Sequence, residues 1–134
     1  MFKEAQTIYV DASIKGLVVA VFPHEVFWDQ VGKSSKAESA EFKGIIFALD
    51  KMEPSQRYIL YSDSSKIITI LHDYFKRGTR TKYASAVEKI IRKKMLHVEF
   101  KWIPREKNKA GRIIEAVKSG QPSWEGLRFQ RKRA

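Results

Sequence analysis

The sequence contains no cysteine among its 134 residues. A disulfide framework, a zinc site built on thiolates and a thiol nucleophile are therefore excluded. Long apolar runs are also missing, because the longest, LVVAVF and IIFAL, fall far short of the ~20 residues that a membrane helix needs. The opening residues, MFKEAQTIYV, lack the apolar segment of a secretory signal. We therefore expect a soluble, cytoplasmic protein with no membrane partner.

Acidic residues are scarce in one half of the chain only. Residues 1–75 hold 8 Lys or Arg and 10 Asp or Glu, whereas residues 76–134 hold 18 and 5, which leaves a net charge of +11. The segments KRGTRTK and RFQRKR are dense basic clusters. Such clusters favour a polyanionic partner, most simply nucleic acid, over a surface that is basic only for solubility.

A hydrophobic fraction of 43% with 8 Phe, 5 Tyr and 3 Trp is enough for one core, so we expect one domain over residues 1–120. The basic tail, residues 121–134, is expected to be flexible until it meets a partner. The hydrophobic pattern predicts elements in the order β-β-β-α-β-α-α-β-α. The predicted strands are QTIYVDASI, GLVVAVF, EVFWDQV, RYILYS and LHVEFKWI, and the predicted helices are SSKAESAEFKGIIFALDKM, DSSKIITILHDYF, YASAVEKIIRKKM and NKAGRIIEAVKS.

Two local patterns refine the helices. Ser35 and Glu38 have the spacing of a capping box, which predicts the start of the first helix. In the third helix, Ala86, Ile90 and Ile91 are expected to face the core.

Three carboxylates stand at the ends of different elements. Asp11 ends the first strand, Glu41 lies in the first turns of the first helix, and Asp63 follows the fourth strand. Taken singly, they are explained as a turn residue, a surface carboxylate and a helix N-cap. If the first and fourth strands are neighbours, however, the three converge and repel each other unless a cation neutralises them. Hard divalent ions take such oxygen ligands, and a pair of ions supports phosphodiester cleavage.

The segments IYVDASIKG, AESAEFKGIIFALD, ILYSDSS and WIPREKNKAG, in this order, resemble the ribonuclease H family, type 1. They are most like the ribonuclease H domains of retroelements and reverse-transcribing viruses. The resemblance implies an α/β fold with a mixed five-stranded sheet, three antiparallel strands and then two parallel additions, and helices on both faces. It implies an endonuclease that hydrolyses the RNA strand of RNA–DNA hybrids with two Mg²⁺ or Mn²⁺ ions. We expect the protein to be a monomer. The protein either works alone or has a reverse transcriptase or polymerase as a partner. Asp11, Glu41 and Asp63 match the first three metal ligands of the family.

The fourth carboxylate of the family has two candidate positions here. An ungapped alignment of the retroelement-like pattern places Gly111 at an alanine and Arg112 at the carboxylate. The longer loop of cellular members instead places Glu115, twelve positions after Ile103, at the metal. Both Arg112 and Glu115 flank the apolar side of the last helix, so they also fit a surface ion pair. The alternatives are an active enzyme, a catalytically impaired nucleic-acid-binding module, and a nuclease of the same fold that acts on DNA.

The sequence departs from the cellular members in that no histidine follows Ile103; His24, His72 and His97 are expected to be structural. Trp102 alternates within a predicted strand and is expected in the core. Basic residues are expected to contact phosphates, and serines beside the carboxylates are expected to contact the nucleic-acid backbone or 2′-hydroxyls. These predicted nucleic-acid-binding residues are Ser13, Ser64, Lys76, Arg77, Arg80, Lys82, Arg105 and Arg112.

Overall fold

The computed structural model describes residues 4–79 and 81–118, together with the backbone of residues 131–132. The central feature is a sheet with the strand order β5-β4-β1-β2-β3-β6, of which β1 to β3 pair antiparallel while β4 and β5 add in parallel. This confirms the predicted mixed sheet of five strands. The strands are β1 Gln6–Ala12, β2 Leu17–Val21, β3 Val26–Gln30, β4 Arg57–Ser62, β5 His97–Trp102 and β6 Arg131–Lys132.

The two-residue strand β6 was not expected from the sequence. It pairs in parallel with β3, at residues Phe27 and Trp28, and extends the sheet by one strand. The rest of the predicted flexible tail, residues 121–130 and 133–134, lies outside the described residues.

In the described part of the chain, four helices cover the two faces of the sheet, as expected. They are α1 Ala37–Lys51, α2 Ser65–Arg77, α3 Lys82–Lys94 and α4 Lys109–Lys118, and a short 3-10 turn, Arg105–Lys107, precedes α4. Val18 and Ala20 of β2 point into the larger apolar cluster with α1, α2 and α3. Val19, which points the opposite way, packs with Ala110 and Ile114 of α4. None of the described helices is long and apolar enough to cross a membrane.

The predicted capping box at the start of α1 is wrong. The N-cap is Lys36, which has an extended backbone and no side-chain capping bond, and the helix begins at Ala37. Ser35 therefore lies one residue outside the cap position, too early for its hydroxyl to serve the first turn. The next two helices have side-chain caps: Ser64 Oγ accepts from the Ile67 amide and Thr81 Oγ1 accepts from the Ala84 amide.

Two core predictions need correction. In α3, Ile90 and Ile91 pack against the core as expected but are only partly buried, as is Ala86, whereas the buried residues are Ala84 and Val87. The prediction that Trp102 is a core residue is wrong, since 52% of it is exposed. The reason is its place at the last residue of β5, a strand that pairs only with β4 among the described residues. Alternation along a strand indicates a face but does not tell whether a helix covers that face.

Candidate metal centre

The strand order brings two of the predicted carboxylates to one edge of the sheet. β1 and β4 are parallel neighbours with Tyr9 opposite Tyr61. Asp11 and Asp63 each follow two residues later, so both lie where the carboxyl ends of the strands meet. The antiparallel β2, on the other side of β1, has Val19 opposite Asp11 and keeps that end of β1 within the sheet.

Glu41 reaches the same place because α1 approaches β1 unusually closely. A Cβ at Gly44 would lie 3.2 Å from the Ala12 Cβ and 3.3 Å from the Val10 Cγ2, tighter than most side-chain contacts. Because glycine has no Cβ, the backbone of α1 can pack directly against β1 at this position. Glu41 lies three residues before Gly44, on the same side of the helix, and is thereby held over Asp11.

The three carboxylates form one compact cluster. Each of Asp11, Glu41 and Asp63 offers an oxygen, and these oxygens lie within 4.8 Å of one another; among the described residues no other such group of three His, Asp or Glu is found. Burial raises the pKa of Glu41 to about 8, with the charges of Asp11 and Asp63 adding to the effect. Burial and the Asp63 charge likewise raise the pKa of Asp11 to about 6.

Because burial and the neighbouring carboxylates raise both pKa values, a proton or another positive charge within the cluster is favoured. At neutral pH the protein must either bind a proton or leave like charges close together with little water. An all-oxygen donor set at this spacing suits a hard divalent cation, which would relieve both costs. The residues therefore fit the metal ions that the family resemblance implies.

Asn108 is a part of this site that sequence analysis missed. Its Nδ2 donates to the Val10 carbonyl oxygen and to Asp63 Oδ2, both at 3.0 Å, and its Oδ1 accepts from the Ala110 amide at 3.1 Å. The residue is completely buried. An asparagine directly before a predicted helix is a common N-cap signal, and that signal would have found the contact to Ala110 but not the contact to Asp63.

The structure does not bring the candidate fourth carboxylate into the cluster. The Glu115 side chain is 57% exposed, and its Oε1 lies 3.1 Å from Arg105 Nη2 and 3.9 Å from Lys118 Nζ. Arg112 is exposed as well and donates to the Glu106 carbonyl oxygen at 2.8 Å. The role of Glu115 as a metal ligand stays a prediction.

Gly111 is the residue of α4 that lies beside the carboxylate cluster. A Cβ at Gly111 would lie 3.3 Å from Asp11 Oδ2 and 3.6 Å from Asp63 Oδ2. Glu115 follows four residues later, so it lies on the same face of the helix and one turn farther along.

Four basic residues of the described chain line the same cleft as the acidic cluster. The carboxylates line a cleft of about 430 Å³ that also includes Ser64. The charge of Arg105 lowers the pKa of Asp11, though by less than burial and Asp63 raise it. The basic residues that line the cleft are Lys36, Lys66, Arg105 and Lys118.

The other predicted nucleic-acid-binding residues lie at varied distances from the cleft. Ser13 is buried in the turn after β1, where its Oγ accepts from the Leu17 amide at 3.2 Å. Lys76 and Arg77 are the exposed end of α2, and Lys82 is the exposed first residue of α3. Arg80 lies outside the described residues.

The sheet order, the helices on both faces and the carboxylates at one edge define a domain of the ribonuclease H-like class. The solved N-terminal RNase H domain of a Mycobacterium tuberculosis protein, obtained as a fusion with maltose binding protein, is similar to 88% of this chain. The similarity covers 99% of that chain with a TM-score of 0.62, but the sequences are only 17% identical, so it establishes the fold alone.

The family is established by the sequence itself. The profile of the reverse transcriptase-like family, which is ribonuclease H-like, matches residues 24–114, and the chain therefore belongs to that family. This confirms the resemblance to the ribonuclease H family. The matched region contains Glu41 and Asp63, begins after Asp11 and ends just before Glu115. No curated protein sequence matches the chain significantly.

Proposed function

We propose that this chain is a metal-dependent endonuclease that hydrolyses the RNA strand of RNA–DNA hybrids. The observation that carries the proposal is the convergence of Asp11, Glu41 and Asp63 from three elements into a cluster with raised pKa values. These carboxylates would hold two Mg²⁺ or Mn²⁺ ions, with Glu115 as the fourth ligand. When bound, such ions activate a water molecule and stabilise the leaving oxygen in phosphodiester hydrolysis.

The basic rim of the cleft supports a nucleic-acid substrate. Lys36, Lys66, Arg105 and Lys118 lie around the carboxylates, so a phosphate chain crossing the cleft meets cations on the way to the acidic cluster. Contacts of this kind orient the backbone without reading its sequence. Ser64 also lines the cleft and supplies a hydroxyl close to Asp63, suited to a sugar or 2′-hydroxyl contact.

The second group of cations would extend this path. Lys76, Arg77 and Lys82 flank the α2–α3 connection, and they would contact phosphates farther along the duplex, together with Arg80. Arg112, which is exposed on α4, would serve the same purpose.

Glu115 can take part only if its present ion pair is exchanged. Its partner Arg105 lines the cleft, and the charge of Arg105 lowers the pKa of Asp11, so the cation of this pair lies on the side of the carboxylate cluster. We propose that Glu115 would turn inward to complete the set of carboxylates that hold the ions, while Arg105 would turn to a substrate phosphate. Both groups are exposed, so the ion pair is worth no more than about 1 kcal/mol and is easily given up.

A second candidate function rests on the same ion pair. With Glu115 held by Arg105 and Gly111 beside the cluster, three carboxylates are present where the family uses four. This favours a catalytically impaired domain that binds nucleic acid without cutting it. Such a module would show hybrid affinity that falls steeply with salt, and no cleavage with any metal.

The test of the proposal is cleavage of a labelled RNA–DNA hybrid with increasing Mg²⁺ or Mn²⁺. Wild-type protein should cut only with metal, Asp11→Asn should abolish cleavage while retaining the fold and hybrid binding, and Glu115→Gln should weaken cleavage. Asp73→Asn, the same change on α2 and outside the cluster, is the matched control. Cleavage by Asp11→Asn at the wild-type rate would refute the proposal. Parallel assays on double-stranded RNA and a DNA junction separate hybrid cleavage from the activity of a DNA nuclease.

A further inference from the structure

Asn108 is the buried polar residue that joins the parts of the metal centre. A carboxamide has two N–H donors and one carbonyl acceptor, and here both donors and the acceptor are used within the protein. The residue is fully excluded from solvent. A buried polar group whose hydrogen bonds are all satisfied specifies one arrangement of its neighbours, because any shift would leave a buried donor unpaired.

The three partners of Asn108 belong to three different elements. Val10 lies in β1 directly before Asp11, Asp63 follows β4, and Ala110 is in the first turn of α4. The amide therefore ties both strand ends to the helix that carries Gly111.

Asp63 is also held from a second side, since Trp102 Nε1 donates to its main-chain oxygen at 3.2 Å. The Asp63 backbone and carboxylate are thus both fixed by residues of the last third of the chain. Of the two donors, only Asn108 contacts the carboxylate itself.

We infer that Asn108 is a positioning residue for the metal centre, which fixes the direction of the Asp63 carboxylate and the distance of α4 from Asp11. A hydrogen bond to a carboxylate ligand removes rotation that would otherwise have to be lost when a cation binds. Aspartate at position 108 would lack both donors and would repel Asp63. Serine would keep the acceptor for the Ala110 amide but is too short to contact Asp63 as well.

The role in metal binding rests on the proposed function, so the first experiment is made on metal-free protein. In ¹⁵N NMR spectra, the Asn108 carboxamide protons should exchange with solvent far more slowly than those of an exposed amide such as Gln30. Asp63→Ala should shift these resonances and speed their exchange. Fast exchange in the wild type, or resonances unaffected by Asp63→Ala, would overturn the inference whatever the activity of the protein.

The second experiment separates positioning from helix capping. Mn²⁺ binding is measured by electron paramagnetic resonance, and stability by urea denaturation, for wild type, Asn108→Ser, Asn108→Ala and Val87→Ala. Both Asn108 variants should bind Mn²⁺ about 10- to 100-fold more weakly, whereas Asn108→Ser should recover stability relative to Asn108→Ala because it keeps the cap. Val87→Ala opens a cavity in α3 away from the site, so it should lose stability and keep its Mn²⁺ affinity.

The outcomes of the second experiment are distinct. Wild-type Mn²⁺ affinity in Asn108→Ser, or an equal loss in Val87→Ala, would show that Asn108 acts only through stability and would overturn the positioning role. If the wild-type chain itself binds no Mn²⁺, the proposed function fails. The spectra of the metal-free protein then decide by themselves whether Asn108 holds the Asp63 carboxylate.

Discussion

The raised pKa of Glu41 makes the metal-free protein sensitive to alkaline pH. Its carboxyl has a pKa of about 8 in the folded protein, against an ordinary value of 4.5, chiefly because burial disfavours the charged form. A folded-state pKa above the unfolded value means that the folded protein holds the proton more tightly. The favourable contribution is therefore complete below pH 4.5 and is lost as the pH rises through about 8.

The size of the effect follows from the shift. At pH 7 the unfolded chain has released the Glu41 proton, whereas the folded chain has kept it. This pH lies 2.5 units above the unfolded-state pKa of 4.5. At about 1.4 kcal/mol per unit, the free energy of unfolding falls by about 3 kcal/mol between pH 4 and pH 7 through this group alone. Asp11, whose pKa is about 6, adds a smaller loss of the same sign.

Glu41→Gln removes this loss because a glutamine is nearly isosteric and carries no charge. In urea denaturation with a chelator present, the variant should match the wild type near pH 4 and be more stable by about 4 kcal/mol near pH 8, where the folded-state pKa of Glu41 is reached. Glu38→Gln, the same change in the first turn of α1, where the carboxylate is partly exposed and lies 3.6 Å from Lys66 Nζ, should show no such pH-dependent gain. Added Mg²⁺ should stabilise the wild type at pH 8 far more than it stabilises Glu41→Gln.

The result that would refute this reasoning is a difference between Glu41→Gln and wild type that stays constant from pH 4 to pH 8. Such a result would mean that Glu41 is solvated and that the three carboxylates do not share one desolvated site. If Glu41→Gln is more stable than the wild type at pH 8 without metal, and Mg²⁺ does not change this difference, Glu41 is buried as argued but the cluster does not bind Mg²⁺.

Two further predictions concern residues outside the carboxylate set. Lys94→Met should lower the free energy of unfolding by about 1–3 kcal/mol, because Lys94 Nζ donates to the Leu49, Asp50 and Met52 carbonyl oxygens at the end of α1. Urea denaturation beside the exposed control Lys93→Met measures this, and an equal effect of both changes would contradict it. Gly111→Ala should leave the free energy of unfolding unchanged or raise it by up to about 1 kcal/mol through helix propensity. It should nevertheless weaken Mn²⁺ binding, because the added methyl group lies 3.3 Å from Asp11 Oδ2. Unchanged Mn²⁺ affinity in a binding titration would show that this contact leaves the site undisturbed.

Much of the fold could be predicted from the sequence because its signals are local. Period-two and helical spacing of apolar residues indicate the type and order of the elements, and the order itself limits the sheet that can form. The three clustered carboxylates were predictable for a related reason. Asp11 and Asp63 end strands that run in parallel, and Glu41 begins a packed helix, so their positions depend on the ends of elements and not on side-chain detail.

The wrong predictions concern features that the position of a residue within its helix or strand does not determine. Trp102 has the right alternation for a core residue, yet no local signal tells that β5 lies at the edge of the sheet described here. The capping box at Ser35 has the right residues, but the helix begins one residue too late to use them. Strand β6 depends on pairing between residues about a hundred positions apart, which no short pattern encodes.

The fourth carboxylate is the hardest case, because its geometry depends on how α4 is rotated about its own axis. Asn108 sets that rotation: its amide bonds to β1 and Asp63 fix where the helix begins, and this places Gly111 against the carboxylates. Once Gly111 faces the cluster, residue 115 must lie on the same face one turn farther on. Arg112, the residue after Gly111, is turned by roughly 100° from Gly111 about the helix axis. Helical spacing therefore makes Glu115 the residue that we propose approaches the cluster from α4 once Arg105 releases it, although its side chain is exposed and paired with Arg105 in this structure.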